Sequence, residues 1–178
     1  SFQHALKFNP RHLEAASACA QLLFDLKRYD EALTYFNQSD EIEPGRVALY
    51  QMRGLCRAGA MRFDEALVDY RRALELDPKM SDAHLNLGKL YHDDGRLDKS
   101  ERYYRAAMEC APRDAAPYFN LGVLLEDLKR PQDAARCYQD ALDRDPDFAD
   151  AHYNLGLVFE ALGKKDQAFT HLRTARKL

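Results

Sequence analysis

The sequence predicts an all-α protein, an α-solenoid of antiparallel helix pairs that repeat every 34 residues. Two observations support this prediction. Prolines recur at intervals of 34 residues, at Pro10, Pro44, Pro78, Pro112 and Pro146. The tripeptide Asn-Leu-Gly recurs with the same spacing, beginning at Asn86, Asn120 and Asn154. A fixed period of this size is typical of repeat proteins, in which each unit buries its apolar face against its neighbours.

The prolines set the boundaries of the repeats. With each proline at repeat position 32, residues 1–178 form a single array in which residues 1–12 end a preceding repeat; the others are 13–46, 47–80, 81–114, 115–148 and 149–178. In each repeat we expect helix A at positions 1–14 and helix B at positions 17–30, joined by a short turn. Both ends interrupt a repeat, so we expect a segment of a longer protein.

Residue size explains how helices A and B can pack closely. Position 8 of helix A is always small: Ala20, Gly54, Gly88, Gly122 and Gly156. Position 24 of helix B is bulky: Phe36, Tyr70, Tyr104, Tyr138 and Leu172. A small residue allows the two helices to approach, and the bulky residue fills the space that it leaves. Proline supports the same boundaries, since Pro117 and Pro131 fall in the first turns of helices, where a missing N–H is tolerated.

Composition argues against several classes of function. The formal net charge is −3, so the chain has no general attraction for nucleic acid or anionic lipid. We expect no membrane insertion, because no apolar run approaches the roughly 18–20 residues that span a bilayer. Four cysteines without a Cys-x-x-Cys motif predict buried thiols in a reducing, cytoplasmic compartment: Cys19, Cys56, Cys110 and Cys137.

Taken together, these motifs resemble the tetratricopeptide repeat. The shared pattern is Asn-Leu-Gly, then Tyr, Gly, an aromatic residue, Asp-Glu-Ala, Tyr, Ala-Leu and Asp-Pro. The resemblance covers essentially the whole chain and is strongest in the last three repeats. It implies a right-handed superhelix whose helices A line a concave groove, and a function in protein recognition.

The second repeat departs from this pattern, with Arg53 and Arg57 at positions 7 and 11, where the family has apolar residues. The first repeat has Asp40 at position 28, where the next three repeats have Leu or Met. Because helix B of one repeat packs on helix A of the next, we expect Asp40 to pair with Arg53 or Arg57. The alternative is that both arginines extend along their stems to solvent.

The groove is the predicted binding site. An asparagine side chain can bond both the C=O and the N–H of an extended peptide, so Asn86, Asn120 and Asn154 are candidate peptide ligands. Alternatively, these residues cap helices or pair locally. Apolar contacts are expected from Leu85, Phe119, Val123, Tyr153 and Leu157, and charged or polar contacts from Lys89, His92, Asp93, Glu126, Asp127 and Glu160.

Charge indicates the class of partner. The inner wall that helices A are expected to form has one lysine, Lys89, against eight acids: Glu14, Asp25, Asp82, Asp93, Glu126, Asp127, Asp150 and Glu160. We therefore expect a neutral or basic peptide or partner helix rather than an acidic one. The cations of the carboxylate clamp that some members of the family use to bind chaperones are absent. Exposed half-repeats could also allow copies to stack end to end.

We expect a scaffold or adaptor rather than an enzyme. No histidine belongs to a His-x-x-x-His or His-Glu-x-x-His motif, and His92 beside Asp93 is the only acid–base pair expected on the groove. No nucleophile or phosphate-binding loop lies near it, so we expect no catalytic residue, cofactor or metal. An alternative remains open, because Ala-His-x-Asn-Leu-Gly is similar to the repeats with which O-linked N-acetylglucosamine transferases present substrates to a catalytic domain.

Overall fold

The computed structural model describes residues 13–178, which form ten α-helices and no strand. The helices are α1 (Leu13–Asp25), α2 (Tyr29–Ile42), α3 (Val47–Gly59), α4 (Phe63–Leu76), α5 (Ser81–Asp93), α6 (Leu97–Cys110), α7 (Ala115–Asp127), α8 (Pro131–Leu142), α9 (Ala149–Ala161) and α10 (Lys165–Ala175). Within these residues, no helix has the length and apolar character needed to cross a membrane.

The helices confirm the predicted repeat of antiparallel pairs. Each odd-numbered helix is a helix A and each even-numbered helix a helix B, and α1 to α7 end within one residue of the predicted positions. Helices α8 and α10 end two and three residues early, at Leu142 and Ala175. The expected end of a preceding repeat, residues 1–12, lies outside the described residues.

The chain divides into two compact units, residues 1–86 and 87–178, with the division inside α5. The described part of the first unit has a core of Ala20, Leu23, Ala32, Leu33, Phe36, Leu49 and Cys56, and a smaller cluster of Tyr50, Ala73 and Ala83. In the second unit, large buried side chains include Tyr104, Leu121, Leu124, Tyr138 and Leu155. The single array over residues 1–178 stays a prediction.

The predicted contact between position 8 and position 24 is present in both units. In the second unit, a Cβ built on Gly122 would lie 2.6 Å from Cε1 of Tyr138, and one built on Gly88 would lie 2.5 Å from Cε1 of Tyr104. Both tyrosines are buried. These positions therefore require glycine because the facing ring occupies the volume of any side chain.

The turn between helices A and B has the same geometry in all five described pairs. Position 15 has a positive φ: 58° at Lys27, 61° at Met61, 73° at Gly95, 60° at Lys129 and 74° at Gly163. The next N–H bonds a carbonyl five residues earlier, as from Arg96 to Tyr91 at 2.8 Å. This is a Schellman motif, which ends helix A and lets helix B turn back along it.

Candidate functional site

The second unit presents a row of incompletely buried side chains on its A helices, α7 and α9. We call this row the amide face; it consists of Phe119, Asn120, Val123, Glu126, Asp127, Tyr153, Asn154, Leu157 and Glu160. The residues on the other face of each helix, such as Leu121 and Leu155, are buried. Helical periodicity therefore separates the packing residues from the amide face.

The two asparagines of the amide face are each engaged only in part. Asn120 Nδ2 donates to the Ala116 carbonyl at 2.7 Å, and Asn154 Nδ2 lies 3.4 Å from the Tyr138 hydroxyl. The local pairing that was an alternative for these asparagines is thus present at Asn120. An amide has two N–H donors and an acceptor oxygen, and the Oδ1 atoms of Asn120 and Asn154 accept no hydrogen bond recorded among the described residues.

Tyr138 connects the two helices of the amide face. Its hydroxyl donates to Glu126 Oε1 on α7 and lies beside Asn154 on α9. Burial, together with the Glu126 carboxylate, raises the pKa of Tyr138 well above its ordinary value, so the phenol stays protonated and holds Glu126 in place. Tyr138 was expected only to pack, because a tyrosine at position 24 gives no signal of a polar partner.

His92 lies at the edge of the amide face, but its partner differs from the one expected. His92 Nε2 is 2.8 Å from Asp127 Oδ2, which joins α5 to α7. The expected partner was the adjacent residue, Asp93. Consecutive residues of a helix point about 100° apart, so His92 and Asp93 point in different directions. Asp127, at position 13 of the following helix A, lies on the same surface as His92. The pair His92–Asp127 leaves Asp93 exposed.

Aromatic and aliphatic side chains surround the amides. The Phe119 ring lies 4.8 Å from the Phe148 ring and 5.6 Å from the Tyr138 ring, measured between centroids. Tyr153 and Leu157, one helical turn apart on α9, are 52% and 40% exposed. These two side chains provide the accessible apolar surface, since Phe119 is half-buried among other rings.

The remaining predicted groove residues lie on α5. Leu85 is only 8% exposed, and it lies in the first unit together with the half-buried Asn86. Leu85 is therefore much less accessible than Tyr153. Lys89 is exposed and belongs to the second unit.

The first unit contains a buried cluster of charges, which confirms the predicted pairing. Arg53 Nη1 is 2.8 Å from Asp40 Oδ2, and Arg53 Nη2 is 2.7 Å from Asp69 Oδ1. Arg57 Nη1 is 2.7 Å from the other oxygen of Asp69, Oδ2. Although burial by itself lowers the pKa of Arg53, the hydrogen bonds and charges of Asp69 and Asp40 raise it overall, so the guanidinium stays charged.

Asp69 is the centre of this cluster, and its role was not predicted from the sequence. It is 1% exposed, and each of its oxygens receives a guanidinium. A signal was present, because position 23 holds Tyr35, Tyr103, Cys137 or His171 in the other repeats. An acid there, opposite two inward-facing arginines, indicates a compensated ionic cluster with a structural role.

The cysteines are free thiols with different environments. Cys19 and Cys56 are buried as expected, whereas Cys110 and Cys137 are half-buried. Burial raises the pKa of the Cys56 and Cys137 thiols to about 11. Because the thiolate is the reactive form, both are poor nucleophiles at neutral pH.

Comparison with known families identifies repeats over most of the chain. Models described as tetratricopeptide repeats match residues 14–46, 79–147 and 119–178, and one described as a TPR repeat matches residues 62–95. No curated protein sequence is a significant match.

Solved structures with the same fold cover nearly the whole chain. MamA from Desulfovibrio magneticus RS-1 is 20% identical and superposes with a TM-score of 0.79, covering 93% of this chain and 94% of its own. Pseudomonas aeruginosa pilF is 15% identical with a TM-score of 0.86, covering 93% and 75%. YrrB, described as a TPR protein with an unusual peptide-binding site, is 21% identical with a TM-score of 0.70, covering 98% and 90%. At these identities the similarity establishes the fold.

Proposed function

Since the chain is a tetratricopeptide repeat protein, a fold that commonly mediates protein–protein interaction, we propose that it is an adaptor that binds an extended peptide of a partner protein along the amide face. The observation that carries this proposal is the arrangement on α9. There, Asn154 lies between Tyr153 and Leu157, two apolar side chains that are 52% and 40% exposed. A polar group able to bond a peptide backbone thus stands beside accessible apolar surface.

The asparagines supply recognition of the peptide backbone. The Oδ1 atoms of Asn120 and Asn154 can accept from backbone N–H groups, and their remaining N–H can donate to a carbonyl. The contact of Asn154 with Tyr138, at 3.4 Å, is long enough to be exchanged for a ligand at little cost. Such contacts hold an extended chain without selecting its side chains.

Tyr153 and Leu157 supply affinity. Aromatic residues that become buried at the centre of an interface carry a large share of binding energy, and tyrosine is enriched among them. The two residues lie four apart on α9 and therefore share one face of the helix. A peptide crossing α9 would bury both, and its apolar side chains would lie against them.

Charge on the amide face favours a neutral or basic peptide. Asp127 and Glu160 are exposed, as are Asp150 on α9 and Asp93 at the end of α5. Among the predicted groove residues, Lys89 is the exposed cation. Since the carboxylates outnumber it, an acidic ligand would be repelled and a basic one attracted. The more specific resemblance, to substrate-presenting repeats of O-linked N-acetylglucosamine transferases, stays a prediction.

A protein with the same fold provides a precedent for peptide binding. YrrB, which superposes on 98% of this chain, is described as having a peptide-binding site. That description applies to YrrB, and at 21% identity its contacts cannot be transferred residue by residue.

A pull-down with variants of the amide face tests the proposal. The N120A/N154A and Y153A/L157A double variants should each lose at least about tenfold in affinity for the partners that wild type captures, because each change removes one class of contact. Captured peptides should be neutral or basic. Helicity measured by circular dichroism should be unchanged, since all four side chains are partly exposed.

Matched controls lie away from the amide face. Phe169 on α10 is 67% exposed, and Gln132 on α8 is exposed. F169A and Q132A remove an exposed ring and an exposed amide, and both variants should bind like wild type. If the amide-face variants retain full binding while F169A loses it, the binding surface lies on helices B and the proposal is wrong.

A further inference from the structure

Two histidines converge between the helices of the last pair, away from the residues assigned to peptide binding. His152 on α9 and His171 on α10 place their Nδ1 atoms 2.8 Å apart, with ring centroids separated by 5.1 Å. Both residues are half-buried, so neither histidine is sealed in the core. The pair occupies repeat positions 4 and 23.

A backbone hydrogen bond fixes the orientation of the His152 ring. Its Nε2 lies 3.0 Å from the Pro146 carbonyl, which can only accept, so Nε2 carries the proton and donates. In a neutral imidazole the other nitrogen then has an available lone pair. Nδ1 of His152 therefore presents a lone pair to His171, and a proton on Nδ1 of His171 completes the contact.

We propose that His152 and His171 bind a divalent transition ion of the Zn²⁺, Ni²⁺ or Cu²⁺ class through their Nδ1 atoms, with the ion replacing the shared proton. Imidazole nitrogen is a preferred ligand of these ions. Two nitrogens bound to one ion at about 2.0–2.1 Å are separated by about 2.9–3.4 Å, for angles between square-planar and tetrahedral. The two Nδ1 atoms are 2.8 Å apart, so a small increase in this distance reaches the range.

The contact behind His152 supports a metal site in particular. Histidines that bind metals usually donate their second N–H to a backbone carbonyl or a carboxylate, which orients the ring and raises its basicity. The His152–Pro146 contact is this arrangement. Among the described residues no group of three or more potential ligands exists, so two protein ligands and water would complete the coordination, as in an exchangeable site.

Another repeat provides a matched control. His84 also occupies position 4, and its Nε2 lies 2.9 Å from the Pro78 carbonyl. Position 23 of its repeat is Tyr103, which gives no second imidazole. His84 therefore has the same backbone contact as His152 but no histidine at position 23 of its repeat, and we expect it to contribute nothing to the proposed site.

Titration of untagged protein with zinc chloride, followed by calorimetry, tests the proposal. Wild type should show a saturable site that is weakened at least about tenfold in H152Q and in H171Q, which remove ligands from different helices. H84Q and H92Q should bind zinc like wild type, and magnesium chloride should give no corresponding signal because Mg²⁺ prefers oxygen ligands.

A second measurement needs no variant. Zinc should protect His152 and His171, but not His84, from carbethoxylation of wild-type protein, as located by mass spectrometry. The proposal is overturned if wild type has no saturable zinc site at millimolar zinc, if H152Q and H171Q both bind zinc like wild type, or if zinc leaves the modification of both histidines unchanged.

Discussion

Replacement of Asp69 by alanine is expected to lower the free energy of unfolding by about 3–5 kcal/mol, because it leaves two largely buried arginines without their shared partner. The side chains of Arg53 and Arg57 are only 11% and 17% exposed, and both donate to Asp69. Asp40 still contacts Nη1 of Arg53, but it forms no ion pair with Arg57 among the described residues. Equilibrium unfolding in urea, monitored by circular dichroism, measures the loss.

Two further variants distinguish the cost of leaving a buried arginine without a partner from the cost of losing an ion pair as such. Glu65 is 51% exposed and only 3.4 Å from Arg57 Nε, so E65A should cost at most about 1 kcal/mol. The quadruple variant D40L/R53L/R57Y/D69Y introduces residue types found at these positions in other repeats, and it should recover at least wild-type stability, since apolar packing can replace buried ions. An Asp69→Ala protein as stable as wild type would show that the arginines reach solvent instead.

Replacement of Gly122 by valine is expected to cost at least about 1–3 kcal/mol through overpacking. Its Cβ would lie 2.6 Å from Cε1 and 2.8 Å from Cδ1 of Tyr138. That ring has no accessible surface, and its hydroxyl is bonded to Glu126, so it cannot move away without breaking this contact. The midpoint of urea unfolding should fall, with the slope of the transition unchanged.

The first repeat suggests a compensating change. It places Ala20 and Phe36 at the equivalent positions, so a larger residue at position 8 is compatible with a ring that lacks the hydroxyl. G122A/Y138F should therefore be less destabilised than the sum of G122A and Y138F, because the phenylalanine ring is free to shift. Strict additivity would contradict direct contact as the cause.

The positions of the helices could be predicted because several independent features have the same period. Pro112 and Pro146 mark repeat ends, Gly122 and Tyr138 mark the packed faces, and all repeat after 34 residues. An error in phase would have placed Pro131 inside a helix. The Arg53–Asp40 pair was predictable for a related reason: two departures from the repeat pattern had opposite charge and fell on neighbouring helices.

Side-chain partners were predicted less well, because they depend on which rotamers can meet across helices. Asp69, Asp127 and Tyr138 each form a polar contact that joins two helices. In each case the partner lies at least 12 residues away along the chain, on another helix. Asn120 uses one N–H locally, which a helical pattern allows but does not require. The amide face itself follows from periodicity, whereas the degree of exposure of Tyr153 depends on packing.

The most direct test of partner binding on the amide face is site-specific photocrosslinking. A benzoylphenylalanine placed at Tyr153 in the centre of the face, and at Phe169 on α10 as a control, compares two exposed aromatic positions. We predict that position 153 crosslinks the captured partner and that position 169 does not, with crosslinking at 153 reduced by N120A/N154A. Efficient crosslinking from 169 and none from 153 would contradict the proposed binding surface.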